Sequence, residues 1–82
     1  FDTQGGYDLC IGIKPNDPNL VLLGGVNLLR STNGFQTLGA TEWIGGYGDP
    51  NLNPFLYPNH HPDQHAIAFR PDNPDICYSA HD

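Results

Sequence analysis

The stretch DLCIGIKPNDPNLVLL, Asp8 to Leu23, returns 56 residues later as QHAIAFRPDNPDICYS, Gln64 to Ser79. The two align without a gap. Ile11 falls on Ile67, Pro15 on Pro71 and Pro18 on Pro74. Between the prolines like replaces like: Lys14 by Arg70, Asn16 by Asp72, Asp17 by Asn73, Asn19 by Asp75 and Leu20 by Ile76. Self-similarity at a fixed offset is the mark of one structural unit used twice.

Each copy reads as a β-hairpin. In LCIGI the bulky Leu9, Ile11 and Ile13 alternate with the small Cys10 and Gly12. In HAIAF, His65, Ile67 and Phe69 alternate with Ala66 and Ala68. Period-2 alternation gives a strand with one bulky and one small face. KPNDPN and RPDNPD follow. Their prolines fix φ and remove donors, while Asn and Asp bond their own backbone, so the chain turns there. LVLLGG and ICYSA then read as the returning strands. The first copy continues through VNLLRS as a third strand, a turn over Ser31–Gln36, and TLGATEWI as a fourth. The expected organisation is a four-stranded unit over 1–44, a connecting loop over 45–62 and the first half of a second unit over 63–82. The fold class is all-β and antiparallel. Four-stranded units repeated at this spacing point to a β-propeller, with one blade and part of the next.

Composition agrees. Gly and Pro supply 18 of 82 residues, which interrupts helices and suits short strands with tight turns. Nine aromatic residues and many branched aliphatics separate the chain from disordered compositions. The net charge is −6, and the only lysine and arginines are Lys14, Arg30 and Arg70. Nucleic acid and anionic membrane surfaces are bound by clustered Lys and Arg, so both partner classes are disfavoured. No apolar run approaches the ~20 residues of a membrane span. One blade and half of another cannot bury both their faces, so the expectation is a segment of a larger propeller. Its partners are then the remaining blades, from the same or other chains.

LLRSTNGFQT, Leu28 to Thr37, resembles the Asp-box or BNR repeat, roughly Ser-x-Asp-x-Gly-x-Thr-Trp. Over 31–38, Ser31, Asn33 and Thr37 match in position, with Asn for Asp; Phe35 stands where Gly is usual and Leu38 where Trp is usual. The longer stretches YDLCIGIKPNDPNLVLLGGVNLLRSTNGFQT and HPDQHAIAFRPDNPDICYSAHD are similar to blades of secreted bacterial sortilin-like (Vps10) propellers. The resemblance implies a clasp on the blade rim, with Ser31, Asn33, Gly34 and Thr37 shaping the turn and Leu38 folding back onto the blade. It implies an extracellular or cell-surface location. It implies a binding or adhesion module for glycan or protein. Two alternatives stand beside that: part of a xyloglucanase-like or sialidase-like glycoside hydrolase whose catalytic residues lie mostly outside this segment, and a structural building block of a surface assembly.

Three sets of side chains are the other candidates. His61, Asp63 and His65, at i, i+2 and i+4, would face one side of an extended strand about 7 Å apart, a donor set that suits a divalent metal. The competing reading is polar side chains bonding loop backbone. Trp43, Tyr47, Phe55 and Tyr57 could stack on sugar rings or meet a protein, or simply pack the rim. Cys10 and Cys77 either pair in an oxidising compartment or stand as two thiols. For catalysis the residues supply little. Asp8, Glu42, Asp49 and Asp63 are not placed in pairs by spacing, and there is no nucleophile elbow or phosphate loop. The expectation leans away from an enzyme for this segment.

Overall fold

The computed structural model describes residues 1–47 and 60–82. The chain forms six antiparallel strands in two sheets. β1 (Cys10–Lys14), β2 (Asp17–Gly24), β3 (Leu28–Ser31) and β4 (Thr41–Gly45) make one sheet in chain order. β5 (Gln64–Arg70) and β6 (Asn73–His81) make the second. The all-β, antiparallel expectation therefore stands, as a four-stranded sheet plus a two-stranded one.

The repeat in the sequence is a repeat in hydrogen bonding. Ile11 pairs with Leu23 as Ile67 pairs with Ser79, and Gly12 with Leu22 as Ala68 with Tyr78. Both hairpins slip register at the same place, between Ile13 and Lys14 and between Phe69 and Arg70. In each the residue after the slip pairs with the start of the returning strand, Lys14 with Asp17 and Arg70 with Asn73. The Asn19 amide donates to Asp17 Oδ1 and the Asp75 amide to Asn73 Oδ1, both at 3.2 Å. An Asx bond in this position holds the bulged strand that the extra residues create. The turn is thus tighter than the Pro-to-Pro reading: only Pro15–Asn16 and Pro71–Asp72 lie outside strands. Pro18 and Pro74 sit inside the first positions of β2 and β6, where a missing N–H breaks little of the ladder.

Two other boundaries differ from the sequence reading. The fourth strand begins at Thr41, because Leu38–Ala40 forms a short 3-10 turn first. The third strand begins at Leu28, because Gly25–Asn27 closes a turn through the Gly25 amide and Asn27 carbonyl.

The two sheets pack face to face. The inner face of the larger sheet carries Leu22, Leu28 and Ile44, all under 5 % exposed, with Ile67 and Phe69 of β5 packed against them. Burying each such aliphatic is worth ~1.5–3 kcal/mol. What lets the sheets meet is the small face of β1. A Cβ added at Gly12 would lie 2.6 Å from Ile67 Cγ2, and one at Gly24 2.7 Å from Gln64 Cβ. At the strand ends, Lys14 Nζ reaches Asp75 Oδ1 at 2.6 Å and ties β1 to β6. The β2–β3 turn is a junction: the Asp63 and Gln64 amides donate to the Val26 and Gly25 carbonyls, and the Val26 amide to the Asp2 carbonyl, each at 2.8 Å.

Gly12→Ala is expected to destabilise the chain by about 1–3 kcal/mol in chemical denaturation, since the sheets must part to admit the methyl group. Gly39→Ala, where nothing lies within 4 Å of the new carbon, is the control and should leave stability nearly unchanged.

Candidate functional site

Ser31 is the last residue of β3 and is fully buried. Its Oγ accepts the Phe35 amide at 2.8 Å and the Asn33 amide at 3.2 Å, and lies 3.1 Å from Asn33 Oδ1, to which its hydroxyl donates. Asn33 Nδ2 donates to Thr37 Oγ1 at 2.8 Å. One hydroxyl therefore satisfies two backbone donors of a tight loop and orients the amide that holds the far side. Gly34 and Phe35 both take left-handed backbone, with φ of 65° and 60°. For Gly34 that conformation costs little; for Phe35 it costs ~1–2 kcal/mol, which the Ser31 bond to its amide helps to offset. The Gly34 amide donates to the Asn19 carbonyl at 2.8 Å, so the loop also ties down the start of β2. Ser31, Asn33, Gly34 and Thr37 thus come together as a turn clasp. Leu38 does not fold back onto the sheet: it is 91 % exposed, because the 3-10 turn points it into solvent.

The metal trio is not assembled as an extended strand would place it. Asp63 adopts φ 68°, which breaks strand geometry at the entry to β5, and His65 lies at the register slip between Gln64 and Ala66. His61 Nδ1 lies 2.9 Å from the Pro62 carbonyl, and its ring stacks on His81. Among the described residues no three His, Cys, Asp or Glu side chains are arranged to hold a metal ion.

What the fold brings together instead is a cluster of carboxylates around His65. Asp8, before β1, is fully buried. His65 Nδ1 lies 3.6 Å from Asp8 Oδ1, while His65 Nε2 lies 2.8 Å from Asp82 Oδ1. Tyr7 packs edge-on against the His65 ring at 5.3 Å, and Gln4 Nε2 donates to Asp63 Oδ1 at 3.0 Å. Burial pushes the Asp8 carboxyl above its ordinary value, Asp63 and Asp82 push it further, and His65 opposes them. A buried acid with neighbouring carboxylates favours the protonated form. Its side chain is closed off from solvent. Spacing gave no reason to pair Asp8 with Asp63; the signal available was the repeat, since Asp8 falls on Gln64, next to Asp63, once β1 and β5 lie side by side.

A second histidine group escaped the sequence reading because His81 is far from His60 in the chain. His60 Nε2 lies 2.9 Å from Ser79 Oγ, and the His60 and His81 rings are 4.3 Å apart. Burial holds His60 below the ordinary histidine value, with His81 adding to the effect. Both line a groove of about 590 Å³ between the sheets, floored by Leu22, Leu28 and Ile44 and edged by Lys14 and Arg30.

Of the aromatic candidates, Trp43 is half-buried on the outer face of the larger sheet, where its Nε1 donates to the Gly45 carbonyl at 2.8 Å. Tyr47 is exposed beyond β4, its amide held by Asn27 Oδ1 at 2.8 Å. Phe55 and Tyr57 lie outside the described residues. Cys10 and Cys77 are free thiols, the first part-buried and the second exposed. Comparison with known proteins found no matching family model, no matching curated protein and no matching solved structure.

Ser31→Ala is expected to cost about 1–3 kcal/mol, the range for orphaning buried backbone donors, in urea unfolding. Ser31→Thr, which keeps the hydroxyl, should recover part of that loss. For Asp8 the sign follows from its raised folded value: the folded state holds the proton more tightly, so this group's ionisation weakens the fold as pH rises above the ordinary 3.8. Asp8→Asn should therefore raise the Tm at pH 7 and shrink the Tm difference between pH 3, below the ordinary value, and pH 7. A Tm lowered at pH 7 and spared at pH 3 would mean the carboxylate is favourable.

Proposed function

We propose that the chain is part of a secreted or cell-surface β-propeller and serves as a binding or adhesion module rather than a catalyst. The observation that carries the reading is the stacking of two hairpins of one repeat, in the same register and orientation, bulky face on small face. That is how blades of a propeller succeed one another. The Ser31–Thr37 clasp, at the end of β3 and away from the stacked faces, supports the Asp-box likeness as a structural element of a blade rim.

The chemistry in view supports binding. The Asp8 carboxylate is fully enclosed, so no substrate atom reaches it. Trp43 and Tyr47, at and just beyond the outer edge strand, offer ring faces of the kind that stack on sugars, and Tyr47 adds a phenolic hydroxyl. A glycan is accordingly the first ligand class to try. A second reading, a building block of a surface assembly, is favoured by one observation: Leu9, Ile11 and Ile13 leave an apolar face exposed on β1 and the residue before it.

The test is a glycan array followed by titration of the best hit, with a hydrolysis assay on the same glycan. Binding without product release is the expected outcome, and Tyr47→Ala should weaken it about tenfold, the equivalent of one lost stacking contact. Turnover of the glycan by the chain alone would overturn the reading, as would binding that is indifferent to both Tyr47→Ala and Trp43→Ala.

A further inference from the structure

Leu9, Ile11 and Ile13 are 58, 61 and 54 % exposed. They continue across the sheet through Leu23, Leu29 and Trp43, which share their face by register. A contiguous apolar face of this kind marks an interaction surface. The repeat says what fits it. Inside the chain, Ile67 and Phe69 of β5 seat on Gly12 of β1. The repeat maps Ile67 onto Ile11, Phe69 onto Ile13 and Gly12 onto Ala68. The exposed face of β1 is therefore a second version of the face that is already seated. The outer face of β5–β6, with Ala66 and Ala80 paired and Ala68 beside them, is a second version of the seat, and these alanines are exposed. Both are the reverse sides of strands that form the existing interface.

We propose that the Leu9–Ile11–Ile13 face docks the Ala66–Ala68–Ala80 face of a second copy of this chain, so that copies stack head to tail. The inference rests on the stacking half of the function proposed above. Applying the intrachain geometry to the pair sets the contacts: Ile11 of one copy meets Ala68 of the next. The Lys14–Asp75 ion pair has its counterpart in Arg70 of one copy against Asn19 of the other, with the opposite charge of Asp17 two residues away. By that geometry β1 of one copy lies over β5 and β6 of the next, as β5 lies over β1 and β2 inside the chain, and Trp43 on β4 stays open. Such an interface joins two different surfaces, so it closes into a ring or runs on as a filament.

The test is sedimentation velocity of the chain over a range of concentrations. The wild type is expected to form species at multiples of the monomer mass. Ile11→Asp and Ala68→Arg, each checked for an unchanged β-sheet circular dichroism spectrum, should each weaken association at least tenfold. Mixed in equal amounts they should form a dimer and stop there, because each keeps the face the other has lost. Should either variant unfold, Ile11→Cys and Ala68→Cys in separate chains with Cys10 and Cys77 replaced by Ser should give a mixed disulfide dimer on oxidation. A folded wild-type monomer at every concentration overturns the proposal, and so does a mixture that stays monomeric beside an associating wild type. Either result leaves glycan binding, which is read separately, to decide the module reading.

Discussion

The close approach of β5 to β1 at Gly12 is the constraint on which the rest depends. A strand with a bulky and a small face can stack on its own kind only if the small face is small enough. Here it is Gly at the point of contact, with Gly24 and Gly45 continuing the low surface across β2 and β4. That lets Ile67 and Phe69 reach Leu22, Leu28 and Ile44 and make one core from two sheets. It also sets the hairpins in the same orientation, so each unit presents outward what it presents inward at the other end.

From that contact follow the features at the strand entries. With β1 beside β5, the residues preceding them share one place. Asp8 is carried into the interior beside Asp63 and His65, and the β2–β3 turn receives the start of β5 through two backbone bonds. Asp63 is held at positive φ there, a conformation that persists only where its surroundings fix it. The buried acid is a consequence of how the strands enter, and burial beside Asp63 and Asp82 raises its carboxyl above the ordinary value.

Much of this was legible in the residues. The prolines and the alternating strand announced the hairpins, and the aligned copies foretold the shared register, down to the Asp17 and Asn73 turn bonds. Ser-Thr-Asn-Gly announced the clasp, because Ser and Asn bond local backbone and Gly takes positive φ. What the residues hid depends on tertiary placement. Leu38 looked like an anchor, yet a 3-10 turn aims it outward. His61, Asp63 and His65 looked like a strand-borne trio, yet the backbone kinks at Asp63 and slips register at His65, and no three ligating side chains among the described residues are arranged for a metal. The Asp8 and His60–His81 groups join residues far apart in sequence, and only the stacking of the sheets brings them near. No described helix is long and apolar enough to cross a membrane.

The central claim is that the two hairpins stack through Gly12. The most direct measurement is a methyl-resolved nuclear Overhauser spectrum of the folded chain. The account predicts strong cross-peaks from the Ile67 methyl groups to the Gly12 α-protons, with Phe69 ring contacts beside them. Cross-peaks showing both hairpins formed, with none between Ile67 and Gly12, would contradict it.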